Sequence, residues 1–426
     1  MTARFLATTA LAGLFGLIAT GAMAEDLSLL VDNSPDTVAI AKALTDAYTA
    51  AHPDVTFSIE TRPVGGEGDN IIKTRLATGE MADVFLYNSG SLLQAIRPSK
   101  TLEPINDIQN IGNLMTSFTS TVSDSDGNIY GVPVQPAMGG GILYNIPTYE
   151  ALGLKIPKTW DEFMANNAVI AEKTDKAPII QTYRDTWTSQ LFVLADYYNV
   201  QVNDPDFATL YTENKAKFAD TPAALKGFQR LQETHDAGYF NEDFGAASYN
   251  DGLHMVATGE GVHYPMLTFS IGAIQQNDPD FVKDVGFFAQ PGDDPDHNGL
   301  TVWMPSAYYV AKGGDHVDTA KDFVNFVASQ DSCDIMTKTV GASGPYLING
   351  CTLPDDVPPA VADMLPYFQD SARNAPALEF LSPVKGPGLE QITVEVGTGI
   401  RDAESGAALY DRDVEKQAKQ LRLPNW

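Results

Sequence analysis

The order of elements between Leu27 and Tyr87 leaves few folds open. Leu27-Ser28-Leu29-Leu30-Val31 is a continuous apolar run, halted by Asp32-Asn33-Ser34-Pro35. From Thr37 to Ala50 apolar residues recur at helical spacing (Val38, Ala41, Leu44, Tyr48). Val55 to Ile59 alternates as a strand. Gly65-Gly66-Glu67-Gly68 then reads as a loop before an amphipathic helix carrying Ile71, Ile72 and Leu76, and Ala82 to Tyr87 makes a third strand. Strands separated by helices pair in parallel, because the crossover helix returns the chain to the same end of the sheet. The fold class is therefore α/β. The glycine loop carries neither GxGxxG nor GxxxxGK[ST] spacing, so a phosphate cradle is not indicated.

A second stretch, Gly127 to Asn145, bears on how many sheets there are. Ile129, Tyr130 and Val132 form a short apolar edge, and Pro133 and Pro136 hold the chain extended. Gly139-Gly140-Gly141 follows, where the backbone is free to bend or to let another group approach closely. Ile142, Leu143 and Tyr144 resume a strand. The pattern suits a crossover between two hinged lobes, or equally a strand, turn and strand within one domain. Length favours two lobes, since single cores rarely grow beyond roughly 250–300 residues and this chain has 426.

Residues 1–24 read as a cleaved leader. Arg4 gives a basic start, Phe5 to Ile18 an apolar stretch too short to span a membrane, and Ala22-Met23-Ala24 a cleavage signature. Export to the periplasm follows, and with it an oxidising compartment in which Cys333 and Cys351 are expected to form a disulfide. A metal or redox pair is the alternative, but neither CxxC nor His spacing supports it. The formal net charge of −28 repels nucleic acid and anionic membranes, so neither is expected as a partner.

Further along, Lys73…Gly79-Glu80…Ala82-Asp83-Val84, Tyr130-Gly131-Val132-Pro133 and Leu143-Tyr144-Asn145 occur in an order that resembles the extracellular solute-binding proteins of carbohydrate ABC importers. Leu152-Gly153-Leu154…Pro157-Lys158-Thr159-Trp160-Asp161-Glu162-Phe163 continues the likeness, as do Ala257-Thr258-Gly259-Glu260-Gly261 and Ala320 to Phe326. His263 and Tyr264 depart from the family's small residues. The resemblance covers essentially the whole chain after the leader. It implies the two-lobed periplasmic binding protein fold, with a ligand cleft between hinged lobes. One lobe would take 25–133 and 290–340, the other 134–289 and 341–426. Crossovers would fall at Val132 to Pro136, Val285 to Pro291 and Val340 to Pro345. The function implied is capture of a mono- or small oligosaccharide by a monomer, which delivers it to the membrane permease subunits of the importer.

Sugars present a hydroxyl rim and weakly apolar ring faces, so a pocket for one needs aromatic plates and short polar side chains. In open α/β sheets these lie in loops at the carboxyl ends of strands. Candidates on that ground are Asp32, Asn33, Ser34, Arg62, Tyr87 and Asn88 in the first lobe. Arg184, Asp185, Trp187, Tyr264 and Trp303 are the candidates further on. Arg62 and Arg184 leave room for an acidic sugar such as a uronate. Trp160, at a helix start capped by Thr159 and Glu162, reads as packing, and Trp426 as docked on the second lobe.

Other ligands are less well served by the sequence. Iron bound by paired tyrosines would need Tyr197-Tyr198 or Tyr308-Tyr309, but neighbours in a strand point to opposite faces. Polyamine would need cleft carboxylates such as Asp32, Asp83 and Asp185, and a polyol remains open. No cofactor or metal is implied. A secreted carbohydrate-active enzyme is the reading from another class. It lacks support, because neither HExxH nor GxSxG occurs and carboxylate pairs arise by chance among 55 acidic residues.

Overall fold

The computed structural model describes residues 25–426; the leader and its cleavage point lie outside them. Its first strands follow the expected order. β1 (Glu25–Asp32) and β2 (Val55–Arg62) pair in parallel, as do β1 and β3 (Val84–Tyr87). Between them run helix α1 (Pro35–Ala51) and helix α2 (Gly65–Thr78). The glycine run expected as a loop is in fact the first turn of α2, which moves Asp69 onto a helix facing the strand ends. That helix stops at Gly79, which adopts φ 75°, a left-handed cap open to a residue without Cβ.

The chain builds two sheets. The first has the order β2-β1-β3-β10-β4, with β4 at Gly131–Pro133 and β10 at Ala307–Val310. The second is organised around β5 (Met138–Asn145), buried throughout. One edge of β5 pairs with β7 (Gly261–Leu267), which carries β6 (Ala177–Ile179). The other edge is shared by β9 (Leu300–Trp303) along its first half and β8 (Val285–Ala289) along its second. A short strand β11 (Asn374–Pro376) flanks β9. No described helix is long and apolar enough to cross a membrane.

The chain first passes between sheets at 134–137, inside the expected stretch. Its glycines serve close approach, because a Cβ on Gly140 would stand 2.3 Å from the Trp303 ring. Two other boundaries differ from expectation. Residues 285–291 do not leave the second sheet, since β9 still pairs with β5 and the switch comes at 304–306, before β10. Nor does the chain leave the first lobe at 340–345. Tyr346 and Ile348 pack in its core, Leu114 bridges Ile348, and Cys351 is disulfide-bonded to Cys333. A terminal staple between helix 330–340 and the following loop keeps the chain on that side.

Local signals elsewhere hold to one or two residues. Thr159 and Glu162 form a reciprocal capping box at the start of helix Trp160–Lys173. Trp160 is buried and donates Nε1 to Glu233 at 2.7 Å. The chain from 186 to 203 forms a 3-10 turn at Thr186–Gln190 and short helices at Leu191–Leu194 and Tyr197–Asn203. Tyr308 and Tyr309 enter different cores on opposite faces of the first sheet, which leaves them unable to share a metal.

Candidate functional site

The parallel strands β1, β2 and β3 end side by side, Asp32 standing in register with Arg62. From these ends a cavity of about 230 Å³ opens between the two sheets. The first lobe lines it with Asp32, Ser34, Arg62, Asp69 and Asn88. The second supplies Trp187, Phe269, Trp303 and Phe380 as aromatic walls, with Glu379, Lys385 and Glu390 beside them. Gln135, in the connection between sheets, also faces it.

Several of the polar groups are held. Asp32 Oδ1 accepts the Ser34 N–H at 2.9 Å, an Asx turn that closes the β1 end. Arg62 is 6% exposed and makes no salt bridge among the described residues; its Nη1 and Nη2 donate to Pro63 O and Leu86 O at 2.9 and 3.2 Å. Trp303 Nε1 donates to Glu379 Oε1 at 2.6 Å, and Lys385 Nζ to Glu379 Oε2 at 2.9 Å. That chain of bonds sets the Trp303 ring edge-on to the charged pair. Trp187 leans on Tyr249 and Phe269, with its buried Nε1 unpartnered. Behind Asp32 lies Asp36, fully buried, with Oδ2 accepting Gln135 Nε2 at 2.8 Å and Oδ1 unpartnered. Burial, and then the charge of Asp32, push the Asp36 carboxyl up to about 7. Burial also raises Asp69, against the pull of Lys73 and Arg62.

The lobes touch along the cavity rim. Trp187 reaches Gly65, Glu390 reaches Gly66, and Phe380 reaches Gly90. Glu390 Oε2 also accepts Thr186 Oγ1 at 2.5 Å. The carboxylate thus faces the first turn of α2, where free backbone N–H groups favour negative charge.

Of the residues expected from sequence, the cavity gathers Asp32, Ser34, Arg62, Asn88, Trp187 and Trp303. The others fall elsewhere. Asn33 and Arg184 are exposed outside the lining. Tyr87 is fully buried and packs with Phe85 on the core side of β3, as the two-residue period of a strand requires. Asp185 Oδ2 accepts the Tyr249 N–H at 2.6 Å, a structural bond at a helix start. Tyr264 is 1% exposed and shares a hydrogen bond with Thr182 at 2.8 Å. Sequence reading missed Asp69, Gln135, Phe269, Glu379, Phe380, Lys385 and Glu390. For Asp69 the spacing from the β2 end was available, had Gly65 been read as a helix start.

Residues 32–332 match the model of the bacterial extracellular solute-binding proteins. The chain belongs to that family. Its members are binding proteins, not enzymes. This solute-binding protein is 25% identical over 294 residues to a multiple sugar-binding protein of Streptococcus mutans, covering 68% of this chain and 67% of that one. A chitin oligosaccharide binding protein superposes with a TM-score of 0.78 at 22% identity, over 94% of this chain and 98% of that one. RafE in complex with raffinose superposes at 0.76 (20% identity, 92% and 99% covered). The apo form of RafE from Streptococcus pneumoniae superposes at 0.66 (20% identity, 93% and 98% covered).

Proposed function

We propose that this protein is the periplasmic receptor of an ABC importer, a monomer released after cleavage at Ala24. It captures a mono- or small oligosaccharide by closing two lobes on it and hands it to the membrane permease. The observation that carries this is the cavity itself, in which aromatic walls from one sheet face polar strand ends from the other. Ring faces stack on Trp187, Trp303, Phe269 and Phe380, and hydroxyls bond to Asp32, Asn88 and Asp69. Its volume, about 230 Å³, lies below the roughly 300–1,000 Å³ of drug-sized pockets and suits one or two rings.

Closure is supported by the contacts across the rim and by the higher TM-score with liganded than with apo RafE. We place the first lobe at 25–133 and 307–351 and the second at 138–303 and 359–426. The short connections between them rotate, and ligand contacts made only in the closed form shift the population toward it.

A thermal-shift panel of sugars, polyols, polyamines and ferric salts, with small-angle scattering on any hit, tests the reading. A dose-dependent rise with a sugar, accompanied by compaction, is expected, because ligand that binds only the native state stabilises it. A response confined to polyamines or ferric salts overturns the sugar assignment, and a sugar hit without compaction overturns closure.

A further inference from the structure

The charges lining the cleft are unequally free. Four carboxylates, Asp32, Asp69, Glu379 and Glu390, face two cations, Arg62 and Lys385. A sugar carboxylate is gripped best by the two parallel N–H groups of a guanidinium. In Arg62 each terminal nitrogen gives one of its two N–H groups to a backbone carbonyl, of Pro63 and of Leu86, which fixes the plane of the guanidinium. Among the described residues its Nε has no partner, and its charge is not ion-paired. Lys385 is held by Glu379, which Trp303 fixes from the other oxygen. Arg184 stands outside the cavity.

The acidic side is less committed. Among the described residues, Asp32 takes a hydrogen bond only on Oδ1, from Ser34, and Oδ2 is open. Asp69 has no ion-pair partner there, and the Tyr87 hydroxyl lies beside it. Asp36 adds a buried oxygen without a partner behind Asp32. A uronate would bring a fifth carboxylate into a partly desolvated space where four already outnumber Arg62 and Lys385, whereas an ammonium would bring a third cation.

We propose that the cleft sorts sugars by charge, preferring an amine-bearing sugar, whose ammonium lies against the open Oδ2 of Asp32 and beside Asp69, over its neutral counterpart, and disfavouring uronates. This rests on the sugar-receptor reading and narrows it. The test is calorimetric titration of the whole mature protein, at low salt and mildly acidic pH, with matched triplets of mono- and disaccharides. Each triplet holds the neutral sugar, its amino and its uronic form: glucose, glucosamine and glucuronate, the galactose set, and a disaccharide set. The amino sugar of the bound set should bind at least about tenfold tighter than the uronate, with the neutral sugar between, and added salt should narrow the gap. Asp69→Asn and Asp32→Asn should each lower that ratio, with the unliganded melting temperature as the check on folding. A uronate that binds as tightly as its neutral sugar overturns the charge selection and leaves the receptor reading intact. If no sugar of any charge or length binds, the receptor reading falls and this inference with it.

Discussion

The two faces of the cleft are built by different means. The first-lobe face is the end of a parallel sheet, where Asp32, Arg62 and Asn88 project from adjacent strands within a few residues of predictable positions. The second-lobe face is assembled from segments far apart in the chain: Trp187, Phe269, Trp303, then Glu379 to Glu390. One face is polar and set by backbone regularity. The other is aromatic and set by tertiary packing, so its integrity depends on side chains that are also core. Trp303 shows this, being 5% exposed, packed over Gly140 and bonded to Glu379.

The strongest way to break the contrast is therefore Trp303→Ala. Removing a buried tryptophan costs about 3–5 kcal/mol, and here it also frees Glu379 and empties a wall of the cavity. Thermal or urea unfolding should show the loss, and sugar binding should disappear. Asn88→Ala, on the polar face, should leave unfolding within roughly 0.5 kcal/mol of the parent and weaken binding only. Equal destabilisation by both substitutions would erase the distinction.

The polar face has its own buried liability in Asp36. Burial holds its carboxyl up at about 7, against 3.8 for a free aspartate. Between those values the folded protein holds a proton that the unfolded chain has lost, so stability falls as pH rises through the window. The linked change is up to about 4 kcal/mol by the same relation. Asp36→Asn keeps an acceptor for Gln135 and should flatten that slope, leaving the variant more stable than the parent above neutrality. Urea unfolding from mildly acidic to mildly alkaline pH measures it, and parallel curves for both proteins would remove Asp36 as the cause.

How much of this was legible follows from the same contrast. The α/β order, the capping box at Thr159, the Cys333–Cys351 bond and the polar strand ends all depend on neighbours in sequence or on a rule about strand termini. Trp187 and Trp303 were found because large aromatics in polar loops are few. Tyr87 and Tyr264 were lost to strand alternation, which turns a residue to core or cleft according to a register that no single sequence segment displays. Glu379, Lys385 and Glu390 carried no local signal. Their place beside Trp303 exists only once the last segment has returned to β9 through β11. The crossovers were displaced for the same reason, since strand pairing and the disulfide decide where a lobe ends.

The seam where the two faces meet offers the finest test. Gly66 sits in the first turn of α2 with Glu390 of the opposite lobe against it, so that a Cβ there would lie 2.5 Å from Glu390 Oε1. With the lobes parted, as proposed above, Glu390 is withdrawn and the methyl meets nothing from the second lobe. Alanine also loses less conformational freedom than glycine on folding. Gly66→Ala should therefore leave the unliganded protein as stable as the parent or slightly more so. Closure must push aside only the end of one flexible side chain, so affinity should fall about tenfold, or ~1.4 kcal/mol. Opposite signs for apo stability and affinity are what a contact confined to the closed state produces. Unchanged affinity in titration would mean that the Glu390 contact is not formed on closing, and the polar face would then receive the second lobe through Trp187 and Phe380 alone.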